Sequence, residues 1–476
     1  MPEATTSTAL TAVPVSPRDP ELFREVVGDG YAEVEAAIER AKGLFAGRVV
    51  WHVNSTSAGG GVAELLHVLL PYARGAGVDV RWMLASGPPA FFRATKALHN
   101  ALHASGSSRL ELDEQQRSLY RTVCERNAAA LAELVRPGDV VYLHDPQTAA
   151  MVNRVRAAGA TVVWRCHIGV DAPGLAARSA QEFLRPMIEE ADAYVFSRGA
   201  YAWEGLDPER VAIVAPSIDA FSPKNQEMGP ETVDAILDRI GLTPDGGRAA
   251  TFVRQDGTAG RVDRHATIVE DAPLPREVPV VAQISRWDRL KDPLGVLEGF
   301  ACSEHAEVAH LLLVGPDASS ISDDPEGAEV YALAEAARQR LPFGVRPHVH
   351  LVSLPMDDIE ENAAMVNAIQ RRATVIVQKS LAEGFGLTAT EAMWKGKPLI
   401  TGAVGGLQDQ VVDGVTGLLI PDPADLEAFA AAIDALLADP ERAARMGAAG
   451  HERVRRHYLS TRHLLEYVEL LTRLLS

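Results

Sequence analysis

The sequence predicts an α/β protein made of two doubly wound, parallel-sheet domains. Three observations carry this. Short apolar runs alternate with loops and helical stretches along the chain, which is the pattern of βα units. The alternation comes in two series, separated by a charged stretch containing Gly and Pro at 241–277. At 476 residues the chain is also too long for one ordinary hydrophobic core.

In the first series the run Arg48-Val-Val-Trp-His-Val53 reads as a strand. Gly59-Gly60-Gly61 forms the following loop, and an apolar-periodic helix covers 62–76. A second strand covers 78–84. The long helix 112–135 is stopped by Arg136-Pro-Gly-Asp139. Further strands are expected at 140–144, 161–165, 193–197 and 211–215. The second series begins near Val278, with strands at 280–284, 310–314, 348–352, 374–377 and 398–401. A hairpin is expected within 251–264, and helical stretches at 426–456 and 460–475. The domain reading is therefore a disordered tail at 1–20 and a first domain at 21–277, with 241–277 as linker or insertion. A second domain follows at 278–455, and a terminal helix at 456–476 could pack back on the first domain.

Composition excludes several functions. A hydrophobic content of 47% is ordinary for a globular chain, and no apolar run is long enough to span a bilayer. The first twenty residues lack the basic start and apolar core of a signal peptide. Cys124, Cys166 and Cys302 lie far apart without metal-binding spacing, which fits a reduced cytoplasm. A net charge of −18 argues against nucleic-acid binding, and it means that a phosphorylated substrate needs a local basic site.

The chemistry concentrates in Lys379-Ser-Leu-Ala-Glu383-Gly-Phe-Gly-Leu-Thr-Ala-Thr-Glu391. Glu383 sits at a strand's carboxyl end and Glu391 about one turn into the next helix. Gly384 and Gly386 let backbone amides approach a ligand at the helix N-terminus, where an anion is favoured. One segment can thus hold sugar hydroxyls, a diphosphate and a ribose. Arg286 and Lys291, in Ser285-Arg-Trp-Asp-Arg-Leu-Lys291, follow the first strand of the second series. They could supply the missing positive patch, although a surface ion-pair cluster with Asp288 and Asp292 is the plainer reading.

Gly59–Gly61 could cradle phosphates or be a flexible turn. Its register fails a dinucleotide fingerprint at the third glycine, which disfavours a nicotinamide enzyme. His167, at a strand end, could bond a sugar hydroxyl or be structural. Asp145 before Pro146 is either an acceptor contact or an ordinary turn. Lys96, His99, Asn100 and His103 share a helical spacing and either face an acceptor or form a solvated face. Gly405-Gly406-Leu-Gln-Asp409 could border the base or phosphates, or simply precede a helix.

The Glu383-x₇-Glu391 segment, the Arg286 and Lys291 pair and the glycine-rich first loop resemble retaining glycosyltransferases of family 4, which have the GT-B fold of two facing Rossmann-like domains. The strings Trp51-His-Val-Asn-Ser-Thr, Trp164-Arg-Cys-His-Ile168 and Gln378-Lys-Ser-Leu-Ala-Glu-Gly-Phe-Gly-Leu387 are similar to the trehalose glycosyltransferring synthases. The resemblance covers roughly residue 48 to the C-terminus. It implies glucosyl transfer from a nucleoside diphosphate glucose to glucose, with retention, giving α,α-trehalose. The retaining trehalose phosphorylases are similar too, and a family 4 enzyme with another acceptor, or a non-catalytic sugar-nucleotide binder, stays open.

By that resemblance Arg286 and Lys291 hold the donor diphosphate, beside Gly60 and Gly61. Glu383 takes the donor glucose with Gly384, Phe385, Gly386 and Leu387, and Glu391 binds the ribose. His167 contacts the donor sugar, and Asp145, Asn100 and Lys96 are acceptor contacts. His167, Glu383, Arg286 and Lys291 are the catalytic candidates. No metal and no tightly bound cofactor is expected, and the partners are small molecules, with a homodimer possible.

Overall fold

The structure, a computed structural model, describes residues 9–57, 61–103, 109–244, 249–317 and 325–476. The chain divides into two compact units. The first comprises 1–217 with 460–476, and the second 218–459.

The first unit holds one seven-stranded sheet. Its strands are β1 (Leu10–Val13), β2 (Val50–Asn54), β3 (Val80–Ala85), β4 (Val140–His144), β5 (Thr161–Cys166), β6 (Ala193–Phe196) and β7 (Val211–Ile213). Their spatial order is β1-β3-β2-β4-β5-β6-β7, and all pairs are parallel except β1 on β3. The strands β2 and β4 are buried along their whole length, as expected where helices cover both faces. One core layer gathers Trp51, Leu98, Leu143, Trp164 and Leu184. The other gathers Leu66, Leu69, Trp82, Val140, Val163 and Tyr467.

The second unit carries a short antiparallel hairpin, β8 (Thr251–Val253) and β9 (Ala259–Arg261), and its own seven-stranded sheet. That sheet contains β10 (Thr267–Val269), β11 (Val280–Ile284), β12 (His310–Pro316), β13 (Val349–Leu354), β14 (Val375–Gln378), β15 (Leu399–Gly402) and β16 (Leu418–Ile420). The order is β10-β13-β12-β11-β14-β15-β16, parallel except for β10 on β13. Its core is built on Val281, Val296, Phe300, Leu311, Leu351, Val377 and Phe429.

In each sheet strand order reverses once, between β2 and β4 in the first unit and between β11 and β14 in the second. Ligands of doubly wound sheets bind at the carboxyl ends beside such reversals.

Three expectations are corrected. The tail is not disordered from residue 9 onward: β1 pairs with β3 from Leu10↔Ala85 to Val13↔Trp82, and the Arg18 guanidinium lies 5.1 Å from the Tyr72 ring centre. The rest of the expected tail lies outside the described residues. The boundary expected at 277 falls at 217, because 218–277 is built onto the second unit. The helix Pro230–Arg239 packs on the helix Ile359–Arg372. Arg254 pairs with Asp358 at 2.6 Å and with Glu360 at 2.9 Å, and β10 adds an edge to the second sheet. The chain then returns to the first unit at 460 rather than 456. The helix Ser460–Leu475 packs against the helices Tyr31–Leu44 and Gly61–Gly75 and places Leu470 and Leu471 in the first unit's core.

Candidate active site

In the second unit the loops after β11 and β14 meet. Lys291 forms an ion pair with Glu383, and both side chains are largely buried. The same carboxylate receives Gly384 N at 3.2 Å, Ser380 Oγ at 3.4 Å and Gln378 Nε2 at 3.5 Å. A second ion pair lies behind the first. Lys379, fully buried, pairs with Asp292 and donates to the Pro423 carbonyl at 2.5 Å. Asp292 has a left-handed backbone (φ 50°) and caps the helix Pro293–Ala301 by accepting from Gly295 N at 3.0 Å. Asp tolerates that conformation because its short side chain bonds locally. The bond from Gln283 Nε2 to the Lys291 carbonyl, 2.7 Å, fixes the loop from the strand side. Asp292 and Gln283 therefore aim Lys291 at Glu383.

Gly386 stands in the left-handed region (φ 87°) directly before the helix Leu387–Trp394. A Cβ there would lie 2.6 Å from Leu407 Cδ2, so only glycine fits the turn that presents the helix amides. The turn is tied to the following loop by Gly406 N donating to the Gly384 carbonyl at 3.1 Å, and by the Gln410 amide donating to the Phe385 carbonyl. Glu391 is buried on the first turns of that helix. It pairs with Lys224 at 3.2 Å and accepts from Gln370 Nε2 at 3.4 Å.

In the first unit the strand ends of β2, β4 and β5 form a polar cluster of different character. Asp145 adopts φ 62° and ψ −178°, a region that non-glycine residues avoid at a cost of roughly 1–3 kcal/mol. Its amide donates to the Arg165 carbonyl at 2.8 Å, and its Oδ1 accepts from His167 N at 2.8 Å. Burial pushes the Asp145 carboxyl up to about 7, partly offset by that amide. His144 Nδ1 lies 3.0 Å from His167 Nε2, and His52 Nδ1 lies 3.1 Å from His144 Nε2. Burial lowers His52 to about 3 and holds His144 and His167 well below the ordinary imidazole range. The Arg165 guanidinium adds to each shift. These rings are neutral hydrogen-bonding groups.

The structure thus brings together Lys291, Glu383, Gly384, Phe385, Gly386 and Leu387 in one unit, and Asp145 with His167 in the other. Arg286 is 63% exposed and bonds Asp288 at 3.1 Å. Lys96 and Asn100 are exposed on the helix Pro89–Leu102, whose end is tied to the loop after His167 by His103 Nδ1 and the Gly169 carbonyl, 3.1 Å apart. Gly61 opens the helix Gly61–Gly75, whereas Gly60 lies outside the described residues. Lys224, His52 and His144 were missed by sequence reasoning, which named Asp292 only as a surface ion-pair partner and Lys379 only as the start of the glutamate segment.

A model of the trehalose synthase N-terminal domain matches residues 52–203, and a model of group 1 glycosyl transferases matches 266–453. A trehalose synthase from Pyrococcus horikoshii is 36% identical over 95% of this chain and 96% of its own length. A trehalose phosphorylase from Pleurotus pulmonarius is 24% identical, over 87% of this chain and 55% of its own. Among solved structures, the α,α-trehalose-phosphate synthase (UDP-forming) from Burkholderia vietnamiensis superposes with a TM-score of 0.63, at 16% identity, over 89% of this chain and 98% of that one. The two doubly wound units and the glycine-turned strand end are those of a GT-B glycosyltransferase. The extent of the Pyrococcus match takes the assignment further: the chain belongs to the trehalose synthase family and is a trehalose-related glycosyltransferase.

Proposed function

We propose that the protein transfers the glucosyl unit of a nucleoside diphosphate glucose to glucose, with retention, and so makes α,α-trehalose. The observation that carries this reading is the Lys291–Glu383 pair on a glycine turn that opens a helix. A diphosphate needs a cation and the amides of a helix start, a glucosyl unit needs a carboxylate for its hydroxyls, and these stand side by side here.

Breaking the anomeric C–O bond develops an oxocarbenium-like sugar and puts negative charge on the departing diphosphate. Lys291 and the amides at the start of the helix Leu387–Trp394 oppose that charge, and each such donor contributes a few kcal/mol. Glu383 orients the donor hydroxyls. Glu391, now held by Lys224, is the buried carboxylate available to a ribose once that pair opens. The acceptor hydroxyl forms the new C–O bond on the face the diphosphate leaves, and its proton passes to the departing phosphate oxygen. No strong protein base is required. In the first unit, the neutral His167 ring and the Asp145 carboxyl, raised to about 7, are partners suited to sugar hydroxyls. Three free cysteines, two of them buried, suit a cytoplasmic setting.

The test is a product assay with glucose as acceptor and adenosine, uridine and guanosine diphosphate glucoses, glucose 1-phosphate, and maltose alone as alternative sources. Trehalose formed only from nucleotide donors is the expected result, and it identifies the base. Trehalose from glucose 1-phosphate would reassign the protein to phosphorolysis, and trehalose from maltose alone to isomerisation.

A further inference from the structure

The segment after β15 reaches back to the glycine turn with a buried glutamine. Gln410 and Thr390 are both wholly buried. The Gln410 side-chain amide donates to the Phe385 carbonyl, and its Oε1 accepts from Thr390 Oγ1 at 2.7 Å. This orientation follows from the partners. A carbonyl oxygen only accepts, so the amide nitrogen must face Phe385, and Oε1 is left for the Thr390 hydroxyl, which can donate. Beside it Gly406 N donates to the Gly384 carbonyl at 3.1 Å. The approach is close: a Cβ on Gly406 would lie 2.6 Å from Phe385 Cα.

The segment 405–410 is held from its far side by the end of the helix Pro440–His457. Arg453 donates to the Asp409 and Gln410 carbonyls at 2.7 Å each, and Tyr458 Oη donates to the Asp409 carbonyl at 2.8 Å. A trans peptide unit is planar, and its C=O and N–H point in opposite directions. No peptide bond among the described residues is cis. Gly406 pins the 384–385 unit by its carbonyl, and Gln410 pins the 385–386 unit. The N–H groups of Phe385 and Gly386 are therefore turned away from the segment 405–410. Gly386 stands between Leu407 and the Glu383 side chain, since a Cβ there would lie 2.6 Å from Leu407 Cδ2 and 3.2 Å from Glu383 Cγ. The turned amides thus belong to the Lys291–Glu383 site.

We infer that Gln410, braced by Thr390, is a positioning residue that fixes the 385–386 peptide plane and so sets the aim of the Gly386 N–H at the departing anion. That this anion is a nucleoside diphosphate rests on the function proposed above; the fixing of the plane does not. A pinned amide meets developing charge without first having to turn, which is what makes such a donor effective.

The experiment is calorimetry and steady-state kinetics on the full chain. Gln410→Met removes the amide at nearly unchanged length, and Thr390→Val removes the hydroxyl at unchanged shape. The probes are adenosine, uridine and guanosine diphosphates, each against its own nucleoside. Gln410→Met should bind the matching diphosphate roughly 5- to 20-fold more weakly and lower kcat roughly 10- to 100-fold, with the Kd of the nucleoside within about twofold. Thr390→Val should repeat the pattern at about 3- to 10-fold, and it should add nothing once Gln410 is Met, because it acts through Gln410. A merely structural role would weaken nucleoside and diphosphate alike, and the two substitutions would add; either result overturns the inference. If Gln410→Met does not fold, Thr390→Val carries the same split. Should glucose 1-phosphate prove to be the donor, the proposed reaction falls, and the split read with inorganic phosphate against glucose still tests the fixed plane.

Discussion

The two strand-end clusters solve different electrostatic problems with different residues. The second unit's cluster is ionic: Lys291 with Glu383, Lys379 with Asp292 behind it, and Lys224 with Glu391 on the next helix. The first unit's cluster has one buried guanidinium, three uncharged imidazoles and a carboxyl raised to about 7. A site that must stabilise a departing diphosphate needs fixed charge. A site that must hold hydroxyls does better with neutral rings, and the cluster's one buried cation, Arg165, is anchored on the Val214 carbonyl. The same doubly wound scaffold carries both because each sheet exposes its own reversal of strand order.

The largest test of this contrast is Lys291→Met. It removes the cation and leaves Glu383 in place, and it should lower kcat/KM for the nucleotide donor by roughly 100- to 1000-fold. Steady-state kinetics would show it, and a loss below about tenfold would mean that the ionic cluster is structural rather than catalytic.

Next in size is Lys379→Met. Lys379 is fully buried, so the change strands the Asp292 carboxylate, and loss of one buried partner typically costs about 3–5 kcal/mol. Thermal unfolding of the variant should show the second unit melting earlier, with the first unit's transition unmoved. Equal shifts of both would break the division into separately built clusters.

The smallest effect is a pH slope. His52 titrates near 3 in the folded protein, against an ordinary imidazole value near 6.5, because burial and then Arg165 disfavour its charged form. Between those values the unfolded chain binds the extra proton. This stabilisation is therefore complete above about pH 6.5 and is lost as the pH falls towards 3. Asp145 runs the other way: its raised value favours the folded, protonated form at low pH and removes stability as the pH climbs from about 4 to 7. Replacing His52 with Phe should flatten the stability–pH slope between pH 4 and 6 by about one proton. Denaturant unfolding across that range measures it, and an unchanged slope would mean that His52 is charged in the fold.

Much of this architecture was legible in the sequence. Continuous apolar runs such as Val140–His144 and Val280–Ile284 can only be strands buried on both faces, and their spacing gave both sheets. Glu383 and Gly386 were readable because a carboxylate and a left-handed turn must follow a strand closely. The edge strand Leu10–Val13 was not, since a short run of small residues has no periodicity until β3 lies beside it. The allegiance of 218–277 was hidden for the same reason: Arg254 finds Asp358 more than a hundred residues later. His52 and His144 are separated by 92 residues, and Lys224 from Glu391 by far more than any local motif spans. Contacts of that reach are decided by the topology and leave no mark on their neighbours.

The route of the chain has a consequence for how the molecule is made. The second unit is threaded into the first as an insertion, entered at 217 and left at 460. A ribosome working from the N-terminus therefore completes the second unit first. The first unit waits for the helix Ser460–Leu475, which brings Tyr467, Leu470 and Leu471 to its core. The nascent first unit carries an open apolar face through most of translation. A stop codon shortly before residue 460 would leave that face permanently bare, with every residue of the second unit's sheet intact.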